Sequence, residues 1–167
     1  MDVRSAFEEA ISERAESCAW IGVDALERTL DDLITTPAVG VSLPFEGISL
    51  RDLPVTTNPS SSELQAASTG ITPAAFAIAE YGSVAISGGQ GGCEAVSLYP
   101  DTHIAVVRES DVLPDMGTAI ERLGGLIADG STSVILTTGP SATADMGSLV
   151  HGAHGPRTVN VVVVEDR

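Results

Sequence analysis

Four short runs of mostly apolar residues stand out along the second half of the chain, at residues 83–87, 102–107, 133–137 and 158–164. Such uninterrupted apolar runs predict buried strands. Helices are predicted before the first run at residues 73–80, where Pro73 follows a Thr72 N-cap, and between later runs at 115–123 and 142–150. The alternation of strands with helices predicts an α/β fold with a mostly parallel sheet flanked by helices.

The end of this pattern predicts a single βαβ unit. Strand 133–137, helix 142–150 and strand 158–164 follow one another, and Ser141 is suited to cap the helix. Strands joined in this way are parallel, with a right-handed crossover. We therefore expect residues 138–143 at the carboxyl end of the sheet, where α/β proteins bind ligands, and residues 154–157 at the opposite edge.

The first 63 residues show a different pattern. Residues 3–35 carry apolar side chains at helical spacing, in two stripes: Phe7, Ala10, Ile11 and Ala15, then Val23, Leu26, Leu30, Leu33 and Ile34. Residues 37–63 are rich in Pro, Gly and Ser, with short extended pieces at 39–43 and 48–50. We predict an N-terminal helical segment (1–36), an irregular arm (37–63) and an α/β portion (64–167) within one domain. The stripes fit either core or a dimer contact, so a homo-oligomer stays open.

The charge of the chain bears on its surroundings. The 23 acidic residues outnumber 8 basic ones, all of them Arg, for a formal net charge of −15. This composition is typical of proteins from salt-loving archaea, because a dense carboxylate surface repels itself in dilute buffer and is screened at high salt. It argues against binding to nucleic acid or to anionic membranes. With no apolar run of membrane-spanning length and an acidic N-terminus, we expect a soluble, cytoplasmic protein.

Metal-ligating residues are sparse. Cys18 and Cys93 are too few for a disulfide framework or a four-cysteine cluster, so we expect no metal or cofactor held by this chain. His151 and His154 lie three residues apart, but Gly152 interrupts a helical pairing of them. We interpret these histidines, together with Arg157, as helix C-terminal capping or interface residues.

Two loops that follow predicted strands are candidate ligand sites. The first is Gly88, Gly89, Gln90, Gly91 and Gly92, whose backbone can approach an anion closely, although a plain flexible turn explains it equally well. The second contains Thr138, Gly139, Ser141 and Thr143, with Asp145 one turn into the predicted helix; hydroxyls and free amides there favour a small anion, and simple capping is the alternative. If their strands are parallel neighbours, the two loops should meet.

One acidic residue is a candidate catalytic carboxylate. Glu80 stands among apolar residues before a predicted strand. Solvent exposure at a helix end is the simpler interpretation of this position. Because Glu80 precedes the strand that the glycine loop follows, the two should lie at opposite ends of it.

Five blocks stand out between about residues 64 and 165: 78–83 (Ile-Ala-Glu-Tyr-Gly-Ser), 97–100 (Ser-Leu-Tyr-Pro), 103–107 (His-Ile-Ala-Val-Val), 138–145 (Thr-Gly-Pro-Ser-Ala-Thr-Ala-Asp) and 154–156 (His-Gly-Pro). In their order and spacing, these blocks resemble the LUD domain family, the family of lactate utilisation protein C. The resemblance implies a fold similar to the sugar-phosphate isomerase and CoA-transferase superfamily. It also implies a role in oxidising L-lactate to pyruvate, beside two iron–sulfur partner proteins that carry the clusters.

Departures from the family pattern keep other functions open. Ala142 and Gly147 stand where the family commonly has Arg and Glu, and the Arg often found near Cys93 and Glu94 is absent. Loss of an Arg removes a bidentate clamp for a carboxylate or phosphate. The alternatives are an enzyme of the wider superfamily acting on an anionic small molecule through Glu80, and a non-catalytic binding or scaffold subunit.

Overall fold

The structure is a computed structural model that describes residues 2–89, 91–144 and 147–166. The helices are α1 (Val3–Ser12), α2 (Leu26–Leu33), α3 (Ser61–Ala66), α4 (Cys93–Leu98) and α5 (Met116–Ala128). The strands are β1 (Ser17–Gly22), β2 (Ala38–Gly40), β3 (Val55–Thr57), β4 (Thr69–Pro73), β5 (Phe76–Ile78), β6 (Ser83–Ser87), β7 (Thr102–Arg108), β8 (Val112–Leu113), β9 (Val134–Thr137), β10 (Ala142–Thr143), β11 (Val150–His151) and β12 (Thr158–Glu165). Within this part of the chain, no helix is long and apolar enough to cross a membrane.

The first sheet has six parallel strands in the order β1-β12-β7-β4-β2-β3. Both of its faces are covered, and the valines of β12 explain how. Val159, Val161 and Val163 pack in the cluster that contains Phe7 and Ile11 of α1. The alternate valines pack with Leu26 and Leu30 of α2. A strand buried on both faces favours apolar residues at successive positions, which is why residues 161–164 lack polar alternation.

The second sheet is smaller, with the order β8-β5-β6-β9. Its β5–β6 and β6–β9 pairs are antiparallel and its β5–β8 pair is parallel. The chain enters this sheet directly from β4. The amide of Ala74 donates to the carbonyl oxygen of Val106 in the first sheet (2.7 Å), and the amide of Ala75 donates to the carbonyl oxygen of Ala85 in the second (2.8 Å). The second sheet therefore continues from the carboxyl end of β4. The α/β fold with a mainly parallel sheet flanked by helices is confirmed.

The N-terminal third differs from the predicted helical segment and arm. Residues 17–22 form β1, an edge strand of the first sheet, and were not predicted as a strand. Trp20 of this strand packs edge-to-face on Phe7, with ring centroids 6.4 Å apart. The arm supplies β2 and β3 to the first sheet, and β2 overlaps the extended piece predicted at 39–43. These strands have three residues each, too short for a periodic pattern to reveal them.

Two further helix predictions need correction. Residues 73–80 form the end of β4 and then β5 rather than a helix, because the main chain bonds to both sheets there. The helix predicted at 115–123 is α5, and it continues through Gly124 and Gly125 to Ala128. Its last turns are held by packing of Leu126 in the cluster beneath the second sheet, which offsets the helix cost of about 1 kcal/mol for each glycine.

The predicted terminal βαβ unit is wrong. Residues 142–143 and 150–151 pair as an antiparallel hairpin, and β9 belongs to the second sheet whereas β12 belongs to the first. The amide of Ser141 donates to Pro156 and the amide of Gly152 donates to Ser141, both at 2.8 Å. Pairing across the base of this hairpin outweighs the weak helical preference of a segment rich in Ser, Thr and Gly.

Candidate functional site

The glycine loop lies beside the carboxyl end of the first sheet. It leaves β6, whose last residue Ser87 is paired with Val134 at the start of β9. A Cβ on Gly91 would lie 3.2 Å from Val41, the residue that follows β2. Parallel α/β sheets bind ligands at this end, so the loop is well placed for binding. Gln90 lies outside the described residues.

A cavity of about 340 Å³ opens between this loop and the connection from α5 to β9. It is lined by Ser87, Gly88, Gly89, Cys93, Leu126, Asp129, Gly130 and Ser131. The hydroxyl oxygens of Ser87 and Ser131 are 2.8 Å apart, and the Ser133 hydroxyl behind them donates to the Glu94 carboxylate. The cavity wall therefore combines hydrogen-bonded serine hydroxyls and glycine backbone with the side chains of Cys93, Leu126 and Asp129.

The backbone of the loop offers donors. Gly89, Gly91 and Gly92 have φ of +124°, +94° and +72°, the region that side chains disfavour, and space is open at Gly89 and Gly92. Within the described residues, the amides of these three glycines have no protein acceptor. None of the arginines described in the structure lines the cavity, whereas the acidic residue Asp129 does. A small anion in this cavity would be bound by backbone amides and hydroxyls. This fits the absence of the arginines that the family commonly has.

Cys93 begins α4 at the back of this cavity. Burial raises the pKa of its thiol, and the nearby Glu94 raises it further. A thiol that stays protonated at neutral pH is a poor nucleophile. Cys93 is therefore better suited to shape the cavity than to attack a substrate.

The second predicted loop, residues 138–143, lies at the opposite end of β9. The Thr138 and Ser83 hydroxyls are 2.6 Å apart, where β6 begins. A Cβ on Gly139 would lie 2.7 Å from the carbonyl oxygen of Arg14, so this glycine permits close packing beside the end of α1. β6 and β9 are antiparallel, which puts about 10 Å of strand between the two loops. The loops were expected to meet only if these strands were parallel neighbours, and that condition is not met.

Ser141 and His154 share a groove of about 260 Å³, although the sequence predicted them at opposite edges. Because Ser141 leads into the β10–β11 hairpin, its Cβ lies 3.1 Å from where a Cβ on Gly155 would stand. The helix-capping interpretation of the histidines fails for the same reason: His151 is an exposed residue of β11, and His154 is exposed in the loop beyond it.

The remaining members of this predicted site are dispersed. Arg157 forms an exposed ion pair with Asp101, at 3.6 Å between Nε and Oδ1. Thr143 lies in β10, within the hairpin. Asp145 lies outside the described residues.

Glu80 occupies a separate groove of about 580 Å³ between α1 and the second sheet. Its side chain is exposed, and its amide donates to the Pro114 carbonyl at 3.1 Å. The groove is also lined by Glu9, Glu13, Arg14 and Asp115, so carboxylates outnumber the one guanidinium and disfavour an anionic substrate. As predicted, Glu80 and the glycine loop lie at opposite ends of β6.

Several residues of the cavity were missed from the sequence. Leu126 lies in the last turn of α5, Asp129 is its C-cap, and Ser131 precedes β9. The Ser131-Thr132-Ser133 cluster was the one local signal, since hydroxyls directly before a strand are available at its end. In the described chain, no three of its His, Cys, Asp and Glu side chains are placed to hold a metal ion.

Comparison with known proteins gives consistent results. Residues 9–164 match the family model described as the LUD domain. "Lactate utilization protein C" of Macrococcus caseolyticus is 36% identical over 105 residues, which cover 60% of this chain and 46% of that protein. The protein of the same name from Deinococcus radiodurans is 34% identical over 136 residues, which cover 78% of this chain and 62% of that protein. The match thus spans less than half of the first relative's length and less than two thirds of the second's.

A solved structure supports the fold over nearly the whole chain. It is the crystal structure of a DUF162 family protein from Deinococcus radiodurans, with a TM-score of 0.73 and 23% sequence identity. The superposition covers 97% of this chain and 96% of that one. The family model covers residues 9–164, which include both sheets and the cavity beside the glycine loop. This chain therefore belongs to the LUD domain family.

Proposed function

We propose that this chain acts in the cytoplasmic utilisation of L-lactate, as a LUD-type component of its oxidation to pyruvate. The observation that carries the proposal is its 34% identity, over 78% of its length, to the lactate utilization protein C of Deinococcus radiodurans. The five sequence blocks of the family are distributed through both sheets and the terminal hairpin, so the likeness is not confined to one motif.

The chemistry of this oxidation requires partners. Conversion of L-lactate to pyruvate removes two electrons and two protons, and the electrons need an acceptor. The described residues offer no set of three metal-ligating side chains, and burial raises the pKa of both cysteine thiols, that of Cys18 to about 11. We therefore propose that iron–sulfur proteins carry the electrons and that this chain works in complex with them.

Within that complex, the glycine-loop cavity is the proposed site of a small anionic ligand. The amides of Gly89, Gly91 and Gly92, which have no acceptor among the described residues, and the hydroxyls of Ser87 and Ser131 supply donors without a cationic side chain. Backbone donors of this kind bind carboxylates and phosphates in many loops. The acidic surroundings favour a ligand of low charge, such as a monocarboxylate, over a polyphosphate.

The binding site is tested by Gly88→Ala. A Cβ at residue 88 would lie 2.6 Å from Glu94 Cδ and would displace the hydrogen-bonded Glu94 and Ser133 pair. We expect L-lactate or pyruvate to bind the variant at least tenfold more weakly in calorimetric titration, with Gly124→Ala unchanged because space is open there. Wild-type protein that binds neither carboxylate at millimolar concentration contradicts the proposed site.

The cellular role is tested by deleting the gene. We expect loss of growth on L-lactate as sole carbon source, normal growth on pyruvate, and rescue by the intact gene. Affinity-tagged protein from lactate-grown cells should copurify with iron-containing proteins rich in cysteine. Unimpaired growth on L-lactate would refute the role, whatever ligand the cavity binds.

A further inference from the structure

The surface around β9 and the β10–β11 hairpin carries exposed apolar side chains. Leu98 and Leu136 line the groove that Ser141 and His154 share. Leu149 and Val150 lie in the adjoining hairpin, and Leu149 is 66% exposed. An isolated two-stranded hairpin has little stability of its own in water. We refer to the surface formed by these four residues as the hairpin face.

β9 presents a free strand edge on this face. Among the described strands it pairs only with β6, at the end of the second sheet. The amide of Gly88 donates to Ser133 at 2.8 Å, which makes these residues a hydrogen-bonded pair in the antiparallel register. Because such pairs alternate, the N–H and C=O groups of Val134 and Leu136 point away from β6. They are available to another strand.

The charge of this segment departs from that of the chain. Of 23 acidic residues, only Asp145 falls between residues 130 and 157, a segment that also holds His151, His154 and Arg157. Elsewhere the dense acidic surface repels a second molecule of the same protein. The hairpin face therefore combines exposed apolar side chains with a segment that has few acidic residues, on a chain of net charge −15.

We propose that the hairpin face binds a second copy of this chain about a two-fold axis, with β9 pairing antiparallel to β9 of the second copy. An antiparallel edge pairs with itself under two-fold symmetry, and the same patch then serves both copies. The second sheets of the two copies join into one, and the exposed leucines are covered. Because this segment carries few carboxylates, two copies that meet here repel each other less than they would at a face with many acidic side chains. The proposal is independent of lactate utilisation.

The mass in solution tests the proposal. In sedimentation at constant molar KCl, we expect the wild-type chain to have twice its 17.1 kDa monomer mass. Leu136→Glu and Leu149→Glu should weaken the dimer at least tenfold, because each puts a charge in the interface. Ile120→Glu and Ile127→Glu are matched controls, since these α5 side chains are 60% and 58% exposed and receive the same charge outside the face. The controls should remain dimeric.

Hydrogen exchange locates the contact independently of the variants. The amides of Val134 and Leu136 should exchange more slowly at concentrations where the dimer forms than on dilution. A wild-type chain that stays monomeric up to millimolar concentration overturns the proposal, even if a different protein binds the hairpin face. A dimer that only the α5 variants disrupt, or that all four variants disrupt equally, also overturns it.

Discussion

His103 makes the stability of the fold depend on pH. It is fully buried in β7, with Nε2 2.9 Å from the Thr72 hydroxyl, and Nδ1 has no partner among the described residues. An unprotonated Nδ1 fits this environment best, so Nε2–H donates to Thr72. Protonation would bury a charge and an unsatisfied N–H. Burial accordingly lowers the pKa of His103 from its ordinary 6.5 to about 4.

The difference between the pKa of His103 in the unfolded and in the folded chain sets the sign and size of its contribution to stability. Below pH 6.5 the unfolded chain binds a proton at His103 that the folded chain does not, so unfolding becomes easier as pH falls. The contribution is fully present above pH 6.5 and is lost progressively towards pH 4, by about 3 kcal/mol in total. Between pH 7.5 and 5.5 the loss is about 1 kcal/mol, in a range above the ordinary pKa values of Asp and Glu.

Urea unfolding at constant molar KCl measures the contribution of His103 to the free energy of unfolding. The signal is the fluorescence of Trp20, the single tryptophan. His103→Gln is the reference, because its amide keeps a donor for Thr72 and does not titrate. Subtracting its free energy of unfolding at each pH removes the contribution of all other titrating groups. We expect the difference to change by about 1 kcal/mol between pH 7.5 and 5.5. Parallel curves for the two proteins would refute the assignment of the pH dependence to His103.

Other predictions concern salt and packing. The melting temperature should fall as KCl is withdrawn from molar to millimolar concentration, because the acidic surface loses its screening; a flat profile in calorimetry contradicts this. Gly70→Ala should lower the free energy of unfolding by at least about 2 kcal/mol, because a Cβ at residue 70 would overlap the carbonyl oxygen of Val96. In the same urea assay, Gly124→Ala should be neutral or stabilising, because space is open at this position of α5. Thr72→Val should cost about 1–3 kcal/mol at pH 7.5 by leaving a His103 nitrogen unpaired, and unchanged stability would argue against their hydrogen bond.

The candidate site was partly predictable from sequence. The glycine loop was located correctly because glycines after a strand mark a turn whatever the fold around it. Its counterpart, residues 129–133, was missed because it meets the loop only through the antiparallel pairing of β6 with β9. The sequence offered residues 138–143 as the partner loop on condition that both strands were parallel neighbours, and their antiparallel pairing removes that partner.

The sequence by itself determined the buried strands β6, β7 and β12 and the apolar stripes of α1 and α2, because their side chains repeat at a clear period or run unbroken. It also determined the charge and the family. Only the tertiary structure decided which sheet each strand joins, that residues 17–22 complete an edge, and that residues 142–151 form a hairpin. Short segments have weak local preferences, and hydrogen bonds to partners far along the chain select their conformation.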